Sequence, residues 1–162
     1  MTDRDANTPP PRRALPAVMT EIVFPQDTNA FGTMFGGAGY AMMDKAAFLA
    51  ANRFSGMLAV TAASERVEFT TPIRHGMIID VVAQVIHAGR TSMIVEVELY
   101  CQEPLDGERK LATSGYFTMV AVDVNGHPIE VPELLLETDE DRRRWQIGEE
   151  IRLAARARRQ RS

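Results

Sequence analysis

One amphipathic stretch, residues 29–54, constrains the fold of this 162-residue chain more than any other segment. From Gly37 onward, apolar and aromatic side chains recur at steps of three and four residues, which places them on one face of an α-helix. They are Tyr40, Met43, Ala47, Ala50, Ala51 and Phe54. Gly56 follows shortly afterwards, and glycine is common just beyond a helix C-terminus. The sequence therefore predicts a long helix, buried along one face, that ends before Gly56.

An acid, Asp44, lies inside this predicted helix in a row with Ala41 and Phe48. A carboxylate among apolar neighbours costs free energy unless it is paired, hydrogen-bonded or protonated. One interpretation is therefore an acid hydrogen-bonded at an element end or a subunit contact. The other depends on Gly36 and Gly37, because a glycine helix start exposes backbone N–H groups that favour developing negative charge. Such donors, together with a carboxylate that activates water, are what hydrolysis of an activated acyl group needs.

The rest of the sequence predicts five strands and a second helix. Alternating or β-branched segments predict strands at 18–24, 59–70, 78–88, 91–102 and 111–123, with turns containing proline or glycine between them. One strand, a long helix and four successive strands favour an α+β class, an antiparallel sheet wrapped around one central helix, over a parallel doubly wound sheet. Beyond Pro132, Thr138 followed by acids predicts a helix start, and five arginines without an acid between 152 and 161 predict a fraying, solvated basic end.

Composition narrows the function further. The chain divides into a predicted disordered leader (1–17), one domain (18–132) and a helical, basic tail (133–162). Cys101 is the only cysteine and the three histidines are scattered, so we expect no intrachain disulfide and no metal site. No apolar run approaches the roughly 18 residues of a membrane span. A formal net charge of −4 argues against nucleic-acid binding by the whole chain. We expect a cytoplasmic protein.

Several motifs also resemble those of a known family. Asn29-x-x-Gly32-x-x-x-Gly36-Gly37 followed by Met43-Asp44 resembles the signature of hotdog-fold acyl-CoA thioesterases, in the group of bacterial broad-range and brain-type cytosolic acyl-CoA hydrolases. The resemblance continues in Glu68-Phe69-x-x-Pro72-x-x-x-Gly76, in Gly89-Arg90-Thr91-Ser92 and in Phe117-x-x-Val120-Ala121-Val122-Asp123, and covers 18–132. It implies a hotdog fold and hydrolysis of acyl-CoA to a free acid and coenzyme A, without a metal or redox cofactor.

The resemblance also implies roles for individual residues at the reaction centre. Asp44 would be the general base for water, and Asn29 would complete the site from the loop before the partner subunit's helix. The N–H of Gly37, next to Gly36, would bond the thioester carbonyl. From the residues alone, however, Asn29 is also explained as a turn residue, and the two glycines as helix-entry residues.

A second group of residues would bind coenzyme A. Gly89, Arg90, Thr91 and Ser92 would lie near its nucleotide and pantetheine end, where Arg90 offers a charged fork to phosphate, although an ordinary hairpin explains them equally well. Arg66 and Arg74 are reserve candidates for the 3′-phosphate. Tyr40, with Met43 and Phe48, would close the acyl tunnel.

Other functions fit these residues less well. Hotdog dehydratases need a histidine near the central helix, and none lies there. A non-catalytic acyl-CoA sensor has no need of a water-activating acid, and a purely structural domain leaves the glycine and acid spacing unexplained. The second and fourth strands carry apolar residues on both sides, among them Phe69 and Ile94, which predicts a subunit interface. The resemblance implies a two-fold dimer with sheets joined edge to edge, and a hexamer of three such dimers.

Overall fold

Five antiparallel strands form one sheet in a computed structural model that describes residues 9–161. The elements in chain order are β1 (Ala17–Ile22), a short 3-10 helix (Pro25–Asp27), α1 (Gly36–Ser55), β2 (Leu58–Phe69), β3 (Ile78–Ala88), β4 (Ser92–Gln102), β5 (Lys110–Val122) and α2 (Asp139–Arg159). The strands lie in the order β1-β3-β4-β5-β2, so β1 and β2 are the two edges. The predicted α+β arrangement is confirmed, and the strand limits lie within two residues of those predicted, with β3 matching at both ends.

Helix α1 packs against all five strands on the inner face of the sheet. The predicted apolar stripe is the buried face: Met43, Ala47 and Ala51 are fully buried, and Phe54 nearly so. The helix begins at Gly36, one residue earlier than predicted. It ends where Gly56 takes a left-handed conformation with φ of 71°, which a glycine adopts without steric cost. The main core therefore lies between α1 and the sheet.

The outer face of the sheet is covered in part by α2. Thr138 and Asp141 cap its start reciprocally, and Ile151 packs against Ile86 and Ile94 of the sheet. The predicted basic end is solvated, since Arg156, Arg158 and Arg159 are exposed, but it does not fray, because the helix continues to Arg159. Helix α2 packs against β3 and β4. The expectation that a partner would cover the fourth strand was also wrong for Ile94, since α2 leaves it only 1% exposed.

The N-terminal segment joins the domain before β1 begins. Residues 1–8 of the predicted leader lie outside the described residues. From residue 12 onward the chain differs from a leader: the Arg12 N–H donates to the Glu133 carbonyl, the Leu135 N–H donates to the Arg12 carbonyl, and Ala14 is buried. Backbone pairing with the segment after β5 therefore holds residues 12–17 against the domain. The division into three segments otherwise stays a prediction.

The β2 edge and the nearby surface of α1 leave apolar side chains uncovered. Leu58 and Val60 on β2 are 57% and 51% exposed, and Phe48 on α1 is 40% exposed. An edge strand with unpaired backbone groups beside apolar side chains is typical of a surface that pairs with another chain.

Within residues 9–161, neither helix is both long enough and apolar enough to span a membrane.

Candidate active site

Asp44 lies at the boundary between α1 and the β2 edge. Its side chain is half-buried, and its Oδ1 accepts a hydrogen bond of 2.6 Å from the Thr61 hydroxyl. Thr61 is held in turn by β2, whose pairing with β5 shifts register between Thr61 and Ala63, and its Oγ1 lies 3.5 Å from the Met119 sulfur. A hydroxyl that donates to a carboxylate at this distance makes a strong hydrogen bond that fixes the carboxylate. Thr61 therefore positions one oxygen of Asp44, while Oδ2 makes no hydrogen bond within residues 9–161.

The start of α1 presents unpaired backbone donors beside a groove. Neither the Gly36 nor the Gly37 N–H donates to an acceptor in the part of the chain that the structure describes. A Cβ added to Gly36 would lie 3.4 Å from the Phe69 ring, whereas one added to Gly37 would meet open space. The groove encloses about 370 Å³ between this helix start and residues 69–73. The helix start can therefore offer N–H groups to a ligand that enters the groove.

Asn29 stabilises the loop that leads into α1. Its side-chain oxygen accepts from the Phe31 N–H at 2.9 Å, from the Thr33 N–H at 3.3 Å and from the Thr33 hydroxyl at 3.2 Å. This is the turn role that the sequence left open as an alternative. The oxygen is thereby fully used, and the Nδ2 group makes no hydrogen bond to any of residues 9–161. No hydrogen bond joins Asn29 to Asp44 within this single chain.

Tyr40 lies inside the helix–sheet interface. Its ring packs against that of Phe117 with centroids 5.4 Å apart, and its hydroxyl donates to the Ser64 hydroxyl at 2.9 Å. Met43 is fully buried in the main core, whereas Phe48 stays partly exposed. Of the three residues predicted for an acyl tunnel, only Phe48 therefore presents much surface to a partner chain.

The turn between β3 and β4 is the predicted Gly89–Ser92 segment. The Gly89 N–H donates to the Ser92 carbonyl at 2.8 Å, which closes a tight hairpin. Arg90 is exposed and lies 3.7 Å from Glu130. The turn also lines a cleft of about 420 Å³ whose other wall is the C-terminal half of α2. The hairpin explanation of the turn is thus correct, and the turn borders a cavity as well.

The two arginines named as reserve candidates for the 3′-phosphate, and the histidines, lie elsewhere in the structure. Arg74 pairs with Glu103 at 3.6 Å, and Arg66 occupies a bulge of β2 with a positive φ of 52°. Neither lines the cleft beside Gly89–Ser92. His87 is buried beneath α2, where burial lowers its pKa and its Nε2 donates to Glu149 at 2.7 Å. None of the described histidines forms a hydrogen bond with Asp44.

Sequence reasoning did not single out Thr61, and it gave the arginines of α2 only as a basic helical end. The alternation of Ala59 and Thr61 along a predicted strand was a usable signal for Thr61, since it places Thr61 on the same face as Ala59, which is buried. The α2 arginines had no such signal, because nothing in their own spacing indicates against which strands the helix packs.

Comparisons with known proteins identify the family. A family model described as the thioesterase superfamily matches residues 31–108. A Bacillus subtilis protein named an uncharacterized acyl-CoA thioester hydrolase is 37% identical over 124 residues, which is 76% of this chain and 72% of that protein. A solved acyl-CoA hydrolase from Staphylococcus aureus, in complex with butyryl-coenzyme A, coenzyme A and coenzyme A disulfide, is 35% identical with a TM-score of 0.82, covering 89% of this chain and 88% of that one.

A second solved structure, a hexameric acyl-CoA thioesterase without ligand, is 35% identical with a TM-score of 0.85 and covers 93% of this chain and 96% of its own. The sequence similarity to the Bacillus subtilis protein spans more than two thirds of both chains, and the structural similarity covers nearly the whole domain. The chain therefore belongs to the acyl-CoA thioester hydrolases of the thioesterase superfamily, and its sheet around α1 is the hotdog fold.

Proposed function

We propose that this acyl-CoA hydrolase acts through Asp44 as general base, at a site that two subunits build together. The observation that carries the proposal is the Thr61 hydrogen bond, which fixes a half-buried Asp44 carboxylate at an uncovered sheet edge. One carboxylate oxygen is held and the other is left to a water. This is the geometry that a general base requires.

The chemistry needs only water and the residues of the protein. A water oxygen attacks the thioester carbonyl carbon while its proton passes to the Asp44 carboxylate. The carbonyl oxygen gains negative charge and is stabilised by the N–H of Gly37, with Gly36 beside it. The carbon–sulfur bond then breaks, the coenzyme A thiolate takes the proton from Asp44, and the free acid leaves. No metal or redox cofactor is needed in this sequence of steps.

Two structural features support a site shared between subunits. The Asn29 loop is tied to the start of α1, because the Phe35 N–H donates to the Asp27 carbonyl at 2.9 Å and Thr28 pairs with Met34. A partner that brings its Asn29 to Asp44 therefore brings its helix start as well. Asn29 also has an amide nitrogen that makes no hydrogen bond within residues 9–161, and that group can donate to the water or the substrate.

The assembly that fits is a two-fold dimer, alone or in a trimer of dimers. Exposed Phe48 beside Asp44, with Leu58 and Val60 on the β2 edge, would be covered in it. The acyl-CoA substrate would extend from Asp44 past Phe48 and Tyr40, and the Gly89–Ser92 turn would bind its coenzyme A end. A cytoplasmic location and the absence of a nucleic-acid partner stay predictions.

Replacement of Asp44 tests the general base. Asp44→Asn keeps the shape of the side chain but cannot take a proton, so turnover should fall by about a hundredfold or more. Thiol release from a panel of acyl-CoAs, followed with a colorimetric thiol reagent, measures it. The matched control is Asp80→Asn, because Asp80 also accepts from a threonine hydroxyl, that of Thr20, at 2.6 Å but lies on β3. A fast Asp44→Asn enzyme would remove Asp44 from the mechanism, and a wild type that binds coenzyme A without releasing thiol would be a sensor.

Subunit mixing tests the shared site. Asn29→Ala and Asp44→Ala proteins should each be inactive, and exchange of their subunits should produce heterodimers with one intact site and one site lacking both residues. Random exchange should restore about a quarter of the wild-type activity in a two-fold pair. Mass spectrometry of differently labelled subunits verifies the exchange. No recovery after verified exchange would mean that each site is built within a single chain.

A further inference from the structure

The groove at the start of α1 has a polar group at its base that the proposed mechanism does not use. Its volume of about 370 Å³ is within the roughly 300–1,000 Å³ typical of small-molecule sites. Apolar side chains line it, together with the four threonines Thr33, Thr70, Thr71 and Thr113. Thr113, on β5, is the most deeply placed of the four, because it is only 1% exposed.

Three of these threonines use their hydroxyl groups inside the protein. The Thr33 hydroxyl donates to the Asn29 side-chain oxygen at 3.2 Å, and those of Thr70 and Thr71 donate to backbone carbonyls at the start of β5, at 3.2 and 3.1 Å. The Thr113 hydroxyl, by contrast, makes no hydrogen bond with any of residues 9–161. No fully enclosed side-chain oxygen in that part of the chain lacks a partner, so the Thr113 hydroxyl must be open to the groove.

Strand pairing places Thr113 beneath the first turn of α1. Its neighbour on β2 is Phe69, whose ring lies 3.4 Å from a Cβ added to Gly36. Its neighbour on β4 is Leu99, whose side chain lies 3.8 Å from a Cβ added to Gly39. Directly opposed residues of neighbouring strands lie about 4.5–5.5 Å apart. Thr113 is therefore flanked by the side chains that meet the first and fourth residues of the helix.

Two kinds of polar group thus border one largely apolar groove. The unpaired N–H groups of Gly36 and Gly37 can only donate, whereas the Thr113 hydroxyl can both donate and accept. A buried hydroxyl without a partner costs free energy, a cost that a valine of the same shape would avoid. Only a molecule in the groove can satisfy this hydroxyl. The ligand that fits has a carbonyl for the helix start and a second polar group a few bonds away.

We propose that Thr113 is a further substrate-binding residue, whose hydroxyl hydrogen-bonds an uncharged polar group of the substrate close to the thioester. The role of Thr113 rests on the proposed function, because the groove faces substrate only if the start of α1 binds the thioester carbonyl. Two parts of an acyl-CoA carry this chemistry. One is the pantetheine amide nearest the sulfur, and the other is a hydroxyl or oxo oxygen at C3 of the acyl group.

Hydrolysis of paired substrates distinguishes the two sources. Butyryl-N-acetylcysteamine keeps the pantetheine amide nearest the sulfur, whereas S-pentyl thiobutyrate has a similar length and no amide. 3-Hydroxybutyryl-CoA and butyryl-CoA differ only in the C3 oxygen. Thr113→Val should lower kcat/KM about two- to tenfold for the substrate that carries the bonded group and leave the other member of its pair unaffected. Thr113→Ser keeps a hydroxyl and should keep most of the difference within the pair.

Thr71→Val is the matched control in the same groove, because the Thr71 hydroxyl already donates to the Leu111 carbonyl. Its effect on kcat/KM should be the same for both members of each pair. Thermal unfolding adds a second readout. Thr113→Val should have a Tm equal to or above that of the wild type, since it removes a buried hydroxyl that has no internal partner. Thr71→Val, which loses an internal hydrogen bond, should be less stable.

A selective loss in either pair supports the proposal, and the pair in which it occurs identifies the bonded group. Thr113→Ala removes the same hydroxyl without adding a methyl group and should show the same selectivity. Equal losses in both members of each pair, or no losses, would overturn the proposal. A lowered Tm of Thr113→Val alongside them would show that the hydroxyl is bonded inside the protein.

Failure of the proposed function would give a different result. An Asp44→Asn enzyme that stays fast, with a selective loss in Thr113→Val, would remove the general base and leave the role of Thr113 standing. Hydrolysis that is lost in Asp44→Asn, with no selective effect of Thr113→Val or Thr113→Ala, would do the reverse. A wild type that releases no thiol from any of the four substrates would overturn both.

Discussion

The contact between Gly148 and His87 gives the sharpest test of how α2 lies on the sheet. Gly148 is buried in the middle of α2, and a Cβ added there would lie 2.4 Å from the Cβ of His87 and 3.2 Å from its Cγ. Carbon atoms pack best at about 3.5–4.0 Å, so Gly148→Ala requires a displacement of about 1 Å. The His87 Cβ is attached to the backbone of β3, and its ring is held by Trp145 and Glu149. Helix and strand must therefore separate.

Two opposing effects set the magnitude of this change. Alanine is better than glycine in a helix interior by about 0.8–1.0 kcal/mol, which alone would stabilise the variant. Overpacking a filled interface costs about 1–3 kcal/mol. Because the clashing atom cannot rotate away, we expect a cost in the upper part of this range, about 2–3 kcal/mol, so that overpacking outweighs helix propensity by about 1–2 kcal/mol. A chain of this length should then lose about 2–8 °C in Tm, at roughly 2–4 °C per kcal/mol.

Thermal and denaturant unfolding at one fixed protein concentration measure the effect, since oligomerisation couples stability to concentration. The matched control is Gly39→Ala in α1. That glycine is also buried in a helix, but an added Cβ would lie 3.8 Å from Leu99 and 3.9 Å from Met34, which is ordinary contact. The control should therefore gain up to about 1 kcal/mol from helix propensity. A Gly148→Ala protein as stable as the wild type, or more stable, would refute the described packing of α2 on β3.

Three further predictions concern the site and the pH dependence. Thr61→Val removes the hydroxyl that holds Asp44 and should lower turnover about tenfold or more, whereas Thr61→Ser keeps a hydroxyl and should keep the turnover. Equal kcat values for the two variants would contradict a positioning role for Thr61. Burial lowers the pKa of His87 below its ordinary value of 6.5, and the Arg152 hydrogen bonds lower the pKa of Glu149 to about 2. The free energy of unfolding should therefore fall as the pH drops below the ordinary pKa of histidine, and fall again below 4.5, the ordinary pKa of glutamate. Unfolding curves of Glu149→Gln should lose less between about pH 5 and 3 than the wild type, and parallel curves would oppose this. Burial also raises the pKa of Glu96, because it disfavours the charged carboxylate in the folded state. Glu96→Gln should therefore be at least as stable as the wild type at neutral pH, and this advantage should fade as acid protonates Glu96. A large loss of stability at neutral pH would show that the pairing of Glu96 with Arg144 outweighs the cost of burial.

Local patterns in the sequence were sufficient to predict the helices and strands of the fold. The stripe from Tyr40 to Phe54 predicted α1 within one residue of its start, because a period of 3.6 residues is a direct consequence of helix geometry. Alternation along 91–102 predicted β4, and Met93, Val95, Val97 and Leu99, which alternate along it, are all fully buried. The acid in α1 and the glycines before it could also be identified as candidate site residues from the sequence, since both lie within one continuous segment.

Contacts between distant segments could not be predicted from local sequence patterns. Thr61 meets Asp44 across 17 residues, a pairing that depends on how β2 lies against α1. Asn29 shows the limit of a motif: its oxygen accepts hydrogen bonds within its own turn, and no hydrogen bond joins its side chain to Asp44 within the chain.

The C-terminal arginines make the distinction clearest. Their spacing indicated only a basic helical end, and charge alone does not specify a neighbour. Gly148 allows α2 to approach His87, and Ile151 buries itself against Ile86 and Ile94, so the helix lies on the outer face of the sheet and turns Arg156 and Arg159 toward Gly89. The sequence by itself determined the helices, the strands and their buried faces, because those depend on residues a few positions apart. The tertiary structure alone decided which of these surfaces meet, because burial of apolar area and steric fit act between segments about 60 residues apart, as at His87 and Gly148.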